Sequence, residues 1–253
     1  MKRFILALQF LTVLRVKKDL EISVDDLAAS MSYFPLVGAL QGGLLVISSY
    51  VLSGLLPGNL VTGIALLVLV LSNGGLHLDG FADTVDGLAG GSTQEERLRI
   101  MRDSSTGAIG VAFVVLLILL KYLALDGMPV ETKRPVMFIF PVIGRWAMVP
   151  MAYWSKYARS DSGLGAAFAG NTGATFIKAT VLTAVLSALA LGLFSLFLML
   201  LLGVIIYLFS AFFKKKIGGV TGDVFGFQSE VAEAVFLITT LALTRILAAQ
   251  PHI

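Results

Sequence analysis

The residues best suited to chemistry are three aspartates that follow a continuous apolar run. Asp79, Asp83 and Asp86 come shortly after the apolar stretch 60–71. On an α-helix, residues spaced by four and then three positions share a face. Three like charges on one face repel one another unless a cation neutralises them. The spacing therefore predicts a helical metal-binding face, and a polar loop with Asx turns beside the neighbouring glycines is the alternative.

The available donor atoms favour a hard divalent cation at this face. The chain has no Cys and only two His, so thiolate catalysis and thiolate metal sites are excluded. Mg²⁺, with Mn²⁺ as the alternative, suits carboxylate oxygens better than zinc does. His77 precedes Asp79 by two positions and is expected on the opposite side of the same helix. It is therefore a poor fourth ligand.

A second polar group follows the aspartates and precedes another apolar run. Arginine side chains bind phosphate oxygens in pairs, and the first N–H groups of a helix attract anions. We therefore expect this group to contact phosphate, with its hydroxyl residues as candidate N-caps of the next helix. A basic flank that only marks membrane orientation is the alternative. The group comprises Arg97, Arg99, Arg102, Asp103, Ser104, Ser105 and Thr106.

A third polar group lies near the end of the chain and is rich in lysine and glycine. Glycines let a backbone approach a ligand closely, so this group is also predicted to contact phosphate, and Asp223 is a candidate further metal ligand. Glu230 and Glu233 follow on one predicted helix face, where carboxylates at membrane depth usually line a site. Glu230 is therefore included as a substrate-binding candidate. The phosphate-contacting candidates are Lys216, Gly218, Gly219, Thr221 and Gly222.

Composition predicts an integral membrane protein. The 253 residues are 57% hydrophobic and 14% charged, whereas soluble domains average about 25% charged residues. No extramembrane segment is long enough to bury its own core, so residues 1–253 are interpreted as one transmembrane domain. The net charge of +3 is interpreted as a topology signal and not as a nucleic-acid surface. Residues 1–14 lack a small-residue cleavage site and are expected to form an interfacial segment in contact with lipid.

Apolar runs of about 20 residues predict an all-α polytopic helical bundle with about seven transmembrane helices, six to eight being compatible with the pattern. Fourteen of the 19 Lys and Arg residues fall in segments 1–32, 79–106, 154–178 and 214–223. The positive-inside rule then places all three polar groups on the cytoplasmic face of the membrane. The candidate spans are 33–56, 60–78, 107–125, 136–153, two parts of 176–213 divided near Gly192, and 224–247.

These motifs together resemble the cobalamin synthase family, the adenosylcobinamide-GDP ribazoletransferases. The resemblance covers nearly the full length and keeps the family's order of motifs. It rests on residues 9–12 (QFLT), 33–38 (YFPLVG), 75–87 (GLHLDGFADTVDG), 99–107 (RIMRDSSTG) and 218–223 (GGVTGD).

The resemblance implies an inner-membrane enzyme of the last steps of vitamin B12 assembly. Such an enzyme joins adenosylcobinamide-GDP to α-ribazole, or to its 5′-phosphate, releases GMP and uses Mg²⁺. On this hypothesis the three aspartates hold the metal across the pyrophosphate, and the ribazole 3′-hydroxyl attacks the phosphorus nearer the corrinoid. Asp83 or Asp86 accepts the hydroxyl proton, with His77 as a weaker candidate for the base.

Two other classes compete with this hypothesis. A secondary transporter or cation channel would use intramembrane carboxylates to carry an ion, but the charged motifs show no internal repeat of the kind such transporters have. A scaffold that holds other enzymes would leave the three aspartates unexplained. The sequence leaves open whether the chain works alone, as a homo-oligomer or with other enzymes of the cobalamin pathway.

Overall fold

A computed structural model describes residues 1–17, 22–159, 164–169 and 172–248. These residues form α-helices joined by short connections, with one isolated β-bridge between Tyr157 and Val220. The helices are α1 (Lys2–Leu11), α2 (Val24–Ser30), α3 (Phe34–Leu52), α4 (Gly58–Ser72), α5 (Leu76–Gly90), α6 (Gln94–Ile100), α7 (Ala108–Asp126), α8 (Val130–Trp154), α9 (Leu164–Phe168), α10 (Gly173–Leu191), α11 (Phe194–Ile217) and α12 (Gly222–Ala248).

Five helical segments of the described chain are long and apolar enough to cross a membrane, or six if α4 and α5 count as one bent span. The five are α2 with α3, α7, α8, α10 and α11. The prediction of an all-helical, multi-pass membrane protein is confirmed. The expected seventh span corresponds to α12, which carries Glu230 and Glu233 in its first half and is not among these segments.

Helix α8 forms the centre of the bundle. Residues 136–152 of α8 are all buried except Phe138, and α3, α10, α11 and α12 pack around this helix. Gly38 and Gly42, four positions apart on α3, allow the close approach of α3, because a Cβ at Gly38 would lie 2.6 Å from the Pro141 carbonyl oxygen. Small residues at this spacing are typical of tightly packed membrane helices.

A sharp bend separates the apolar helix α4 from the acidic helix α5. The two helices are inclined by 86°, and Gly74 and Gly75 between them have φ values of 62° and 74°. This left-handed conformation is readily adopted by glycine alone among the common residues. The predicted end of the span 60–78 is therefore wrong, since α4 ends at Ser72. Helix α5 runs nearly at right angles to α4 and is not one of the five membrane-spanning segments named above.

Two other predicted features agree with the structure, whereas the span predicted at 136–153 begins earlier, since α8 starts at Val130. The apolar run 176–213 is divided at Gly192, whose φ of 76° ends α10. The expected N-terminal segment forms α1, and Lys2 and Arg3 of α1 pair with Asp26 of α2 at 2.7 and 3.1 Å.

Candidate active site

The acidic motif forms one helix, as its spacing predicted. Asp79, Asp83 and Asp86 all belong to α5, with Asp79 exposed and the other two half-buried. Within the described residues, the carboxylates of Asp79 and Asp83 accept no hydrogen bond and form no ion pair. These two side chains are therefore available to a ligand.

Asp86 differs from these two aspartates in that it caps helix α7. Its carboxylate oxygens accept hydrogen bonds from the backbone N–H groups of Gly107 at 2.7 Å and Gly110 at 2.8 Å. A Cβ at either glycine would collide with this carboxylate. A negative group at a helix N-terminus satisfies its unpaired N–H groups and complements its dipole. The prediction that Ser104, Ser105 or Thr106 caps this helix is therefore wrong.

Asp223 joins the aspartates of α5 through close packing of α5 against α12. A Cβ at Gly80 would lie 2.8 Å from the Asp223 carbonyl oxygen, so only glycine permits this approach. Phe81 and Phe227 stack beside it with ring centroids 5.4 Å apart. The first turn of α12 thereby places the Asp223 side chain beside the acidic face of α5, which brings together two of the predicted polar groups.

The electrostatics of Asp83 reflect this gathering of charge. Burial, followed by the charges of Asp79, Asp223 and Asp86, raises the pKa of Asp83 from 3.8 to about 7. Burial also raises the pKa of Asp223, although the Arg159 guanidinium acts in the opposite direction. Mutual repulsion of this kind is what a cation or a proton relieves.

The donor set fits a magnesium ion completed by substrate oxygens. No group of three His, Cys, Asp or Glu side chains in the described ranges is arranged to hold a metal by itself. Mg²⁺ is commonly bound through one or two carboxylates together with substrate phosphates and water. Clustered carboxylates that lack other partners, as at Asp79 and Asp83, provide that kind of partial ligand set.

A basic cleft adjoins the acidic cluster. Arg159 donates a hydrogen bond to Asp223 at 2.8 Å and a longer one to the Met101 carbonyl oxygen at 3.4 Å. Three arginines border a cleft of about 350 Å³, which is suited in charge and size to phosphate groups. Its lining residues are Glu95, Leu98, Arg99, Arg102, Ala158 and Arg159.

The segment that follows Arg102 is a polar turn at the surface. Asp103 accepts hydrogen bonds from the backbone N–H of Ser105 at 3.0 Å and from its hydroxyl at 2.6 Å. These bonds, the one from the hydroxyl first, lower the pKa of Asp103. Ser104 is exposed. The role of Asp103 and Ser104 in phosphate binding stays a prediction.

The glycine-rich segment after α11 is shaped mainly by packing. Gly218 ends α11 with a φ of 83°, and a Cβ at Gly219 would collide with the Lys156 carbonyl group. The bridge between Tyr157 and Val220 explains that contact. Gly222 alone among the three glycines has no atom within 4 Å of a built Cβ, and it borders a cavity with Asp79 and Asp223.

The other two predicted phosphate contacts of this segment have protein partners. The Thr221 hydroxyl donates a hydrogen bond to Asp223 at 3.1 Å and accepts one from the Val224 N–H at 3.3 Å. The Lys216 carbonyl oxygen accepts a hydrogen bond from the Arg97 side chain at 3.2 Å. The Lys216 ammonium lies 5.8 Å from the centre of the Phe212 ring. Thr221 therefore orients Asp223.

His77 is 2% exposed, and both of its ring nitrogens lack a hydrogen-bond partner in the described structure. Burial, followed by the charges of Arg145 and Lys121, holds the pKa of His77 well below its usual range. Although His77 and Asp79 were expected on opposite sides of α5, both border a cavity of about 150 Å³. His77 is therefore a neutral group beside the site.

Glu230 belongs to a buried ionic network inside the bundle. The Lys121 ammonium bonds to Glu230 and, at 2.6 Å, to Glu233. Arg145 then bonds to Glu233 at 3.1 Å and to Gln41 at 2.9 Å. The network joins α3, α7, α8 and α12. Glu230 thus has Lys121 as its cationic partner and does not line the arginine cleft.

An open groove of about 760 Å³ extends from the acidic motif along α7. Asp79, Ala82 and Thr106 border its polar end, and valines of α7 form its apolar end. A ligand with a charged part and a bulky apolar part matches this gradient.

The comparisons with known proteins agree with the motifs. A family model described as "Cobalamin-5-phosphate synthase" matches residues 3–241. The chain belongs to this family. Similar proteins named adenosylcobinamide-GDP ribazoletransferase include that of Geotalea daltonii, 38% identical over 96% of this chain and 98% of the relative. That of Syntrophobacter fumaroxidans is 37% identical over 91% and 94%, respectively. No solved structure matches the chain.

Membership of the cobalamin-5-phosphate synthase family confirms the resemblance and makes the chain a multi-pass membrane enzyme of cobalamin biosynthesis. The matched range includes every residue of the acidic cluster, the arginine cleft and the ionic network. Arg159 was missed by the sequence interpretation, because it lies outside the recognised motifs and contacts Asp223 across 64 positions of the chain.

Proposed function

We propose that the chain joins adenosylcobinamide-GDP to α-ribazole, or to α-ribazole 5′-phosphate, and releases GMP at the cytoplasmic face of the inner membrane. The product is adenosylcobalamin or its 5′-phosphate. The observation that carries this proposal is the placement of the acidic cluster beside the arginine cleft in a member of this family.

The reaction is a displacement at phosphorus. The ribazole 3′-hydroxyl oxygen forms a bond to the phosphorus nearer the corrinoid, and the bond from that phosphorus to the bridging oxygen breaks. GMP leaves with the bridging oxygen, while the hydroxyl proton passes to a carboxylate. Asp83 is the assigned acceptor, because the oxygens of Asp86 are already bonded to backbone N–H groups of Gly107 and Gly110.

The other residues of the site are assigned to binding the metal and the donor substrate. Asp79 and Asp83 would hold Mg²⁺, with Asp223 as the third carboxylate of the cluster. When bound, the ion supplies positive charge that stabilises the phosphoryl oxygens. Arg99, Arg102 and Arg159 bind and orient the phosphates of the nucleotide, and the groove beside Asp79 receives part of the corrinoid.

The buried network argues against the transporter alternative. An ion-carrying site needs carboxylates that can exchange their partner. Glu230 and Glu233 are held by Lys121 and Arg145, two fixed cations that balance their two charges. The network therefore resembles a structural element more than an ion pathway.

The test is a reconstitution with both substrates. Purified protein in nanodiscs should release GMP only when adenosylcobinamide-GDP, α-ribazole and Mg²⁺ are all present, and EDTA should abolish the release until Mg²⁺ is restored. Asp83→Asn should remove the activity, whereas Asp126→Asn, at the far end of α7, should keep it. Absence of GMP release, or release that does not require α-ribazole, would refute the proposed reaction, and activity in EDTA would remove the metal.

A further inference from the structure

An apolar cavity of about 470 Å³ lies between α4 and α7, next to the groove that contains Asp79. Most of its wall is formed by leucine, valine and isoleucine side chains. The cavity and the groove share three lining residues, Asn73, Leu78 and Val115. A small molecule bound across Asn73 would therefore place one part beside Asp79 and another part inside the apolar cavity.

The charged residues of this cavity are mutually compensated. Lys121 and Glu230 border it, and they belong to the network of two cations and two anions described above. A phosphate group bound here would add an unbalanced negative charge in apolar surroundings, which is unfavourable. The cavity therefore suits a neutral, largely apolar ring.

Asn73 supplies a hydrogen-bond donor at the junction of the cavity and the groove. The residue is only 7% exposed, and its Oδ1 accepts the N–H of Gly75 at 2.9 Å. This bond fixes which end of the amide is oxygen, so the other end is the NH₂ group. That NH₂ group has no hydrogen bond within the described residues. The NH₂ group is not among the fully buried polar atoms of the described residues, and Asn73 lines both the groove and the cavity, so a ligand acceptor atom at the junction can reach it. A bound ligand would bury this donor, and a ligand without an acceptor there would leave it unpaired, which is costly.

We propose that the base of the acceptor nucleoside binds in this cavity and that the Asn73 amide donates a hydrogen bond to its free ring nitrogen. This inference rests on the proposed function, in which the acceptor is α-ribazole. The base lies among the apolar side chains, and the ribose lies in the groove with its 3′-hydroxyl directed towards the carboxylates of α5. A volume of about 470 Å³ is within the usual range of small-molecule sites.

The first experiment compares α-ribazole with the matching indole riboside, in which a C–H group replaces the acceptor nitrogen. The wild type should prefer α-ribazole in kcat/KM by about 10- to 100-fold, the usual effect of leaving a buried donor unpaired. Asn73→Asp keeps an acceptor for the Gly75 N–H but loses the NH₂ donor, so its preference should fall to near unity. An equal preference in both proteins would overturn the assignment of Asn73.

The second experiment fills the cavity. A Cβ at Gly63 would meet only the Tyr122 ring, at 3.9 Å, so Gly63→Leu extends into open space. This variant should raise the KM for α-ribazole about 10-fold or more, because the larger side chain excludes the base. The KM for adenosylcobinamide-GDP should not change.

Gly203→Leu is the matched control, since Gly203 lies on α11 with no atom within 4 Å of a built Cβ. Its two KM values should equal those of the wild type. An unchanged KM for α-ribazole in Gly63→Leu would assign the cavity to membrane lipid and overturn the inference. A wild-type protein that releases no GMP would instead refute the proposed function, so the two failures are distinguishable.

Discussion

Arg159 and Asp223 form an ion pair of 2.8 Å that joins the arginine cleft to the acidic cluster. Asp223 begins α12, and Arg159 follows the bridge between Tyr157 and Val220. Both side chains are partly buried, at 14% and 22% exposure, so solvent screens the pair only in part. Three separate parts of the chain, α5, residues 156–159 and the start of α12, thereby meet at one end of the bundle.

Replacing Arg159 should weaken the binding of the donor substrate, adenosylcobinamide-GDP. Arg159→Gln removes a cation from the phosphate cleft and leaves Asp223 to repel the substrate, so kcat/KM for adenosylcobinamide-GDP should fall about 10- to 100-fold, the effect of one charge-assisted hydrogen bond. Steady-state GMP release measures this change. Arg134→Gln, at the start of α8, is the control and should retain wild-type kinetics. Equal kinetics of the two variants would show that Arg159 does not contact the substrate.

Substitution of Asp86 should lower stability, whereas substitution of Asp79 should lower activity. Asp86→Asn weakens the cap of α7 and should lower stability by about 0.5–2 kcal/mol, measured as a decrease in Tm in detergent. Asp79→Asn removes an exposed carboxylate that has no protein partner among the described residues and repels Asp83, so its Tm should not fall while Mg²⁺-dependent GMP release is lost. An active Asp79→Asn protein at saturating Mg²⁺ would exclude Asp79 as a metal ligand.

The raised pKa of Asp83 predicts a pH-dependent stability. Between about pH 4 and 7 the folded protein holds a proton on Asp83 that the unfolded chain releases, since the pKa rises from 3.8 to about 7. Stability should therefore fall as the pH rises through this window. Asp83→Asn removes the repelling charge, so without Mg²⁺ its Tm should exceed that of the wild type more at pH 8 than at pH 5.

Asp25→Asn, exposed on α2, is the control for this effect and should show the same Tm difference from the wild type at both pH values. A Tm difference for Asp83→Asn that does not depend on pH would mean that Asp83 has an ordinary environment in solution.

The helices were largely predictable because their signals are local. The spacing of Asp79, Asp83 and Asp86 and the break at Gly192 need no knowledge of the tertiary structure, and both predictions were confirmed. The bend after α4 also had a local signal in Asn73, Gly74 and Gly75. The bend was nevertheless missed, because the apolar pattern of α4 continues to Leu78 and hydropathy does not report the direction of a helix.

The partners of the polar residues were not predictable, because they depend on packing between distant segments. Asp86 caps a helix that begins 22 positions later in the chain, and Arg159 reaches Asp223 only because α9, α10 and α11 return the chain to the same end of the bundle. Of the glycines predicted to contact phosphate, Gly218 ends α11 and Gly219 packs against the Lys156 carbonyl group, contacts that no local pattern announces. The chemical roles of the carboxylates remain predictions.

Gly80 should be indispensable for the contact between α5 and α12. A Cβ there would lie 2.8 Å from the Asp223 carbonyl oxygen and 2.9 Å from its Cα atom, so the backbone must shift. Gly80→Ala should cost about 1–3 kcal/mol and reduce GMP release by displacing Asp223 from the acidic face. Gly43→Ala on α3, which has no atom within 4 Å of a built Cβ, is the control and should keep its Tm and activity. A wild-type Tm for Gly80→Ala would contradict the close packing.

The stability of the protein should depend on the balance of charge in the buried network more than on any single charged side chain. Lys121→Met leaves Glu230 and Glu233 with Arg145 as their only cation in the described network, and breaking such a buried pair costs about 3–5 kcal/mol. The double variant Lys121→Met with Glu230→Gln restores one anion to one cation, so it should regain most of the lost Tm. A double variant less stable than Lys121→Met alone would mean that the two residues do not act as a pair, because the coupling in a double-mutant cycle would then have the wrong sign.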